Sequence, residues 1–167
     1  PKQTHQAWIQ IGNQRLPQLK LPPFPVTWRS GGDRNEIKCL SRQKFVALEP
    51  EEWVRQHWLQ HLSNDLHYPL GLTSVEHPLN LNGMKRRADI VCHDHQGKPL
   101  LMVECKRHDV PLSKAVLDQI LRYHLALKTP IIAISNGINH QAFSYHATGF
   151  QVLESLPFAL QIRVFKG

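Results

Sequence analysis

Asp89 stands on one apolar segment of this chain, and the run Glu104-Cys105-Lys106 ends the next. Two carboxylates brought together are hard oxygen ligands for a divalent cation of the Mg²⁺ type (Mn²⁺ can substitute), with the Cys105 backbone carbonyl as a further oxygen. A lysine beside them can orient an attacking water or steady the charge that develops on a phosphorane. The chemistry this set suggests is hydrolysis of phosphodiester bonds.

That chemistry requires both segments to be neighbouring strands. In Arg87-Ala88-Asp89-Ile90-Val91-Cys92 and Leu100-Leu101-Met102-Val103-Glu104-Cys105-Lys106, alternate side chains point to opposite faces, so Glu104 and Lys106 share a side and Cys105 turns away. The polar, glycine-containing stretch Asp94-His95-Gln96-Gly97-Lys98-Pro99 predicts a hairpin that sets Asp89 opposite Glu104. In isolation, such residues are ordinary solvated charges at strand ends. Glu104, however, follows four apolar residues, and a central strand ends its hydrophobic run in a carboxylate where the sheet opens into a site.

Four motifs stand in order along the chain: Glu52-Trp53-Val54-Arg55, Arg87-Ala88-Asp89-Ile90-Val91, Glu104-Cys105-Lys106 and Gln119-Ile120-Leu121-Arg122-Tyr123. With them, residues 50–146 resemble the N-terminal nuclease domain of type I restriction enzyme R subunits, and more narrowly the stand-alone bacterial proteins that carry only that domain. The resemblance implies a PD-(D/E)xK nuclease, an α/β restriction-endonuclease-like fold with a mixed central sheet flanked by helices. It implies a Mg²⁺-dependent endodeoxyribonuclease with Asp89 and Glu104 as metal ligands and Lys106 as the catalytic lysine. It places Glu52 at the edge of the metal site and Gln119 and Tyr123 beside it as supporting residues. Ala88 stands where the superfamily's name has proline. The alternative from another class is a non-catalytic nucleic-acid-binding or docking module that retains the fold. An intact Asp89, Glu104 and Lys106 argue against it, because a buried charge is costly to keep without a use.

Composition agrees with a nucleic-acid partner. Twenty Lys and Arg against 13 Asp and Glu give a net charge of +7 and a pI near 9.6, which favours a polyanion. Lys85-Arg86-Arg87 ends one residue before Asp89 and is a candidate phosphate-backbone contact, its plainer reading being a solvated loop. The odd number of cysteines, Cys39, Cys92 and Cys105, carries no CxxC spacing, so the expectation is a reducing cytoplasm. Histidines at 57 and 61 and the group Cys92, His93 and His95 match no zinc pattern. No apolar run reaches the roughly 18 residues of a membrane span, and no secretory leader is recognised. Nor does a G-x-x-x-x-G-K-[ST] loop occur; a homodimer and a separate motor protein are the assemblies this leaves open.

Three regions are expected. Residues 1–24, with Pro17, Pro22 and Pro23, read as a flexible lead-in. Residues 25–48 read as a small antiparallel accessory sheet, and residues 49–167 as the nuclease-like domain. Within the last, a helix starts at Pro50 with an apolar stripe of Val54, Trp58 and Leu62, and Glu51 pairs with Arg55 at i,i+4. Ser74–Leu79 is the first core strand, with Glu76 read as an edge-strand glutamate. A second helix is N-capped by Ser113, Ile131–Ser135 is a buried parallel strand, and residues 142–153 and 158–165 complete the edge.

Overall fold

A computed structural model describes residues 6–159. Among them the chain forms three sheets and two α-helices. The first sheet is a hairpin of β1 (Trp8–Ile11) and β2 (Gln14–Pro17). The second is the expected accessory sheet: β3 (Trp28–Ser30), β4 (Asn35–Lys38) and β5 (Phe45–Ala47), antiparallel throughout.

The main sheet has six strands: β6 (Thr73–Leu81), β7 (Met84–His93), β8 (Pro99–Cys105), β9 (Ile131–Ser135), β10 (His140–His146) and β11 (Gly149–Leu153). They lie in the order β11-β10-β9-β8-β7-β6. Every neighbouring pair is antiparallel except β8 and β9, where Glu104 pairs with Ile134 and Cys105 with Ser135 in parallel register. The sheet is therefore mixed, and the fold is α/β as expected. A parallel pair needs a crossover, which α2 (Lys114–Leu127) supplies. Ser113 starts it, its hydroxyl accepting the Val116 N–H, and Lys128 ends it in a left-handed conformation at φ 52°.

α1 (Pro50–Gln60) begins with proline at a position that needs no N–H, followed by Glu51 and Glu52, where the helix dipole favours acids. A π-turn over His61–Asp65 extends it. Val54, Trp58 and Leu62 are all buried and join Ile90, Leu101, Val103, Cys105 and Ile131 in one core. Val91, Met102, Ile132 and Ile134 have the opposite strand parity and form a second core with Ile120 of α2. The sheet is thus buried on both faces, which explains why every residue of β9 is buried.

Two readings need revision. The lead-in is not irregular: Gly12-Asn13 is a two-residue turn closing β1 onto β2, and Pro17 stands last in the ladder, where its missing N–H interrupts nothing. Gly12 has φ +56°, and a side chain there would meet Asn35, whose amide donates to the Ile11 carbonyl at 2.9 Å and ties the hairpin to β4. The plainer reading of Lys85, Arg86 and Arg87 as a solvated loop gives way to their place in β7, paired with Asn80, Leu79 and Pro78 of β6. Residues 142–153 fall within β10 and β11, whereas most of 158–165 lies outside the described residues.

Candidate active site

Asp89 is the residue of β7 that neither neighbouring ladder pairs. On one side, register passes from Val75–Ile90 to His77–Ala88; on the other, pairing with β8 ends at Ile90–Val103. Side chains serve the backbone donors left at this end. The Asp89 N–H donates to Glu104 Oε1 at 3.0 Å, and the Cys105 N–H donates to Asp89 Oδ2 at 2.8 Å. Opposite Asp89, Glu76 of β6 sits at φ +53°, a left-handed conformation that costs a non-glycine residue energy and is concentrated at functional sites.

Both carboxylates are buried, Asp89 to 9% and Glu104 to 4% exposure. Burial first, and the Asp89 charge beside it second, push the Glu104 carboxyl well above the usual carboxylate range. Lys106 acts in the other direction on both Glu104 and Glu51. Its own N–H extends the parallel register, donating to the Ser135 carbonyl at 2.8 Å. Cys105 turns into the α1-side core, where burial raises its thiol far above the ordinary value.

Arginines complete the cluster. Arg55 Nη2 donates to Asp89 Oδ1 at 2.9 Å, while its Nη1 lies 3.0 Å from Glu52 Oε2. Arg42 Nη2 holds the other Glu52 oxygen at 2.6 Å. Glu76 draws Arg42, Arg55 and Arg87 at 3.6, 3.8 and 3.6 Å. Burial works against the Arg55 charge, but Glu52 and Asp89 outweigh it and hold its pKa above the ordinary value. For Glu52 the balance is reversed: burial exceeds the effect of both arginines, and its carboxyl is raised.

Asp89, Glu104 and the Cys105 backbone are therefore brought together, with Lys106 next along the strand. Glu52 is one guanidinium away from Asp89 and touches it only through Arg55. Arg55 pairs with Glu52 at i,i+3 instead of with Glu51. Glu51 is half-buried, and its carboxyl is raised by burial and then by the Asp89 charge, so it stands closer to the site's electrostatics than a plain dipole-complementing acid. Gln119 is exposed on α2, and Tyr123 packs against the second core. Among the described residues neither contacts the carboxylates. Lys85, Arg86 and Arg87 are exposed along β7, leading to Asp89. Sequence reasoning missed Arg42; Glu76, read as an edge-strand glutamate, does lie on the edge strand but also faces Asp89. Arg55 had a local signal in its spacing from Glu52, but Arg42 had none.

Two hard, buried oxygen donors whose like charges oppose one another fit a Mg²⁺-class cation, which relieves that repulsion and commonly takes only one or two protein carboxylates. Among the described residues, no group of three or more Asp, Glu, His or Cys side chains is placed to hold a metal.

A mixed sheet buried by helices on both faces, with acids and a lysine at one strand end, defines an α/β domain with a polar site at the edge of its core. The chain belongs to the type I restriction enzyme R protein N terminus family, whose family model matches residues 50–157. No curated protein and no solved structure matches the chain. The family match runs from the start of α1 past the end of β11 and includes Asp89, Glu104 and Lys106, while Arg42 and the two smaller sheets precede it. No helix among the described residues is long and apolar enough to cross a membrane.

Proposed function

We propose that this domain is a Mg²⁺-dependent endodeoxyribonuclease of the PD-(D/E)xK kind acting in the cytoplasm. The observation that carries the reading is the meeting of the Asp89 and Glu104 carboxylates at a strand end whose next residue is Lys106. The membership in a restriction-enzyme family supports it. Asp89 and Glu104 would hold the cation, with the Cys105 carbonyl as a further oxygen. When bound, such an ion supplies phosphate charge neutralisation and a lowered water pKa. Lys106 would stabilise charge on the phosphoryl oxygens, and Arg55 would keep Asp89 oriented from α1. Lys85, Arg86 and Arg87 would hold the DNA backbone as it approaches Asp89.

One observation favours a second reading, a nucleic-acid-binding module without hydrolysis: Asp89 is already neutralised by Arg55. The deciding experiment is a cleavage assay on linear, nicked, supercoiled and single-stranded DNA with Mg²⁺, Mn²⁺ or EDTA. Metal-dependent cleavage that disappears in a Glu104→Ala, Lys106→Ala double variant is expected. Cleavage that persists in the double variant defeats the assignment, and binding without cleavage under every metal condition establishes the second reading.

A further inference from the structure

The outward face of the β1–β2 hairpin carries a tryptophan that no core uses. Trp8 pairs with Pro17 and Gln10 with Arg15, so Trp8, Gln10 and Arg15 share one face. Ile11 and Leu16, of the opposite parity, are buried. Trp8 is 45% exposed, whereas Trp53 and Trp58 are 1% and 4% exposed. The Arg15 guanidinium carbon lies 5.5 Å from the centroid of the Trp8 ring. The His108 ring meets the indole edge-on, with centroids 5.8 Å apart and an interplanar angle of 89°.

These contacts fix where the indole sits. His108 is two residues beyond Lys106, at most about 7 Å along the backbone. The segment that follows the hairpin is anchored at the same end of the main sheet, since the Lys20 N–H donates to the Gly137 carbonyl, just past β9, at 2.8 Å. The Trp53 indole N–H of α1 donates to the Pro17 carbonyl at 2.9 Å. No Asp or Glu precedes Asp33 in the sequence, and Asp109, which follows His108, is paired with Arg107 at 3.1 Å. Among the described residues Arg15 forms no ion pair with an acid.

We propose that Trp8, with Arg15, is a stacking platform for an unpaired DNA base beside the Lys106 end of β8, which makes single-stranded or frayed DNA the preferred substrate class. The proposal rests on the nuclease reading for its placement next to the cut. An exposed indole offers a π-face to any base, and an arginine that forms no ion pair among the described residues adds cation–π and phosphate attraction. Bases inside an intact duplex are already stacked on each other and cannot reach it. Residues 6–49 lie outside the family match, so the platform stands outside the matched region.

Fluorescence anisotropy with EDTA present tests it, using fluorescein-labelled oligothymidine, a forked duplex and a blunt duplex. Wild type is expected to bind the first two more tightly than the blunt duplex. Trp8→Ala should weaken binding to oligothymidine and fork by about tenfold or more while changing blunt-duplex affinity less than about twofold, the scale of removing one base–aromatic stack. Trp8→Phe keeps a π-face and should retain most of the affinity, which separates stacking from a folding defect; thermal melts accompany each variant. Equal affinity of Trp8→Ala and wild type for oligothymidine overturns the platform, as does equal weakening on all three probes. If wild type binds no DNA in any form, the platform and the nuclease reading fail together. Binding or cutting of duplex with indifference to Trp8 sinks the platform alone.

Discussion

Arg55 and Asp89 are joined between α1 and β7 by an Nη2–Oδ1 hydrogen bond of 2.9 Å, and the same guanidinium holds Glu52 through Nη1 at 3.0 Å. All three side chains are largely buried, so each charge depends on the others for solvation. Removing one partner of such a set leaves uncompensated buried charge.

Arg55→Ala is therefore expected to destabilise the fold by roughly 3–5 kcal/mol, measured by urea denaturation. Mn²⁺ should restore more stability to this variant than to wild type, because Arg55 supplies the ion pair of Asp89 among the described residues. A loss below about 1 kcal/mol, the scale of a surface pair, would show that Glu52 and Asp89 are solvated well enough without Arg55.

Calorimetric titration with Mn²⁺ should reveal a site that Asp89→Asn weakens by tenfold or more, on the order of the cost of disturbing a metal's surroundings. The amide keeps an oxygen for the Cys105 N–H, so the strand end is preserved while the charge is removed. Unchanged affinity in Asp89→Asn would remove Asp89 from the ligand set.

Lys106→Ala is expected to leave DNA affinity nearly intact and to slow cleavage by about a hundredfold, the scale of removing one electrostatic stabiliser. Single-turnover rates at saturating protein separate the two effects. A variant that binds weakly but cuts at the wild-type rate once bound would make Lys106 a phosphate-binding residue instead.

Replacing Lys85, Arg86 and Arg87 with alanine should lower the slope of log affinity against log salt on duplex DNA by about 0.9 for each phosphate that is no longer neutralised. Their exposed place along β7 leaves the core untouched. An unaltered slope would reduce them to solubilising charge.

His124 supplies a pH dependence. It is 1% exposed, bonded through Nδ1 to Thr129 Oγ1 at 3.0 Å, and flanked by Tyr145 and Phe150. Burial lowers its pKa to about 4. Between that value and the ordinary 6.5 or so the unfolded chain binds one more proton than the folded one. Stability should therefore fall as pH drops through this window, by up to about 3 kcal/mol from this residue. Thermal melts from pH 7 to pH 4 should fall less steeply in His124→Gln than in wild type; parallel curves would show that the imidazole protonates freely in the fold.

Much of the domain is legible in local pattern. The period-2 alternation and the polar Gly97 turn predict β7 and β8 as a hairpin, the continuous apolar run predicts β9 as a buried strand, and Ser113 marks where α2 begins. Asp89, Glu104 and Lys106 stand out because charge interrupts those apolar runs. These signals are local, since strand period and capping chemistry act over a few residues. The same locality misled at residues 1–24, where prolines outweighed a single Gly12-Asn13 turn, and it left a solvated loop as the plainer reading of Lys85–Arg87.

The convergence of Arg42, Arg55, Glu76 and Arg87 on the acids was decided by tertiary structure alone. Arg42 lies in the turn between β4 and β5 of the accessory sheet, Arg55 rides on α1, and Glu76 faces Asp89 from the edge strand. Their meeting depends on sheet register and on how α1 packs over β7 and β8. Likewise, whether Asp89 would face a strand partner or be left for side chains depended on where the β7–β8 ladder stops, at Ile90–Val103. A buried charge takes whichever counter-charge the packed elements deliver, and packing is a property of the whole chain rather than of any stretch of it.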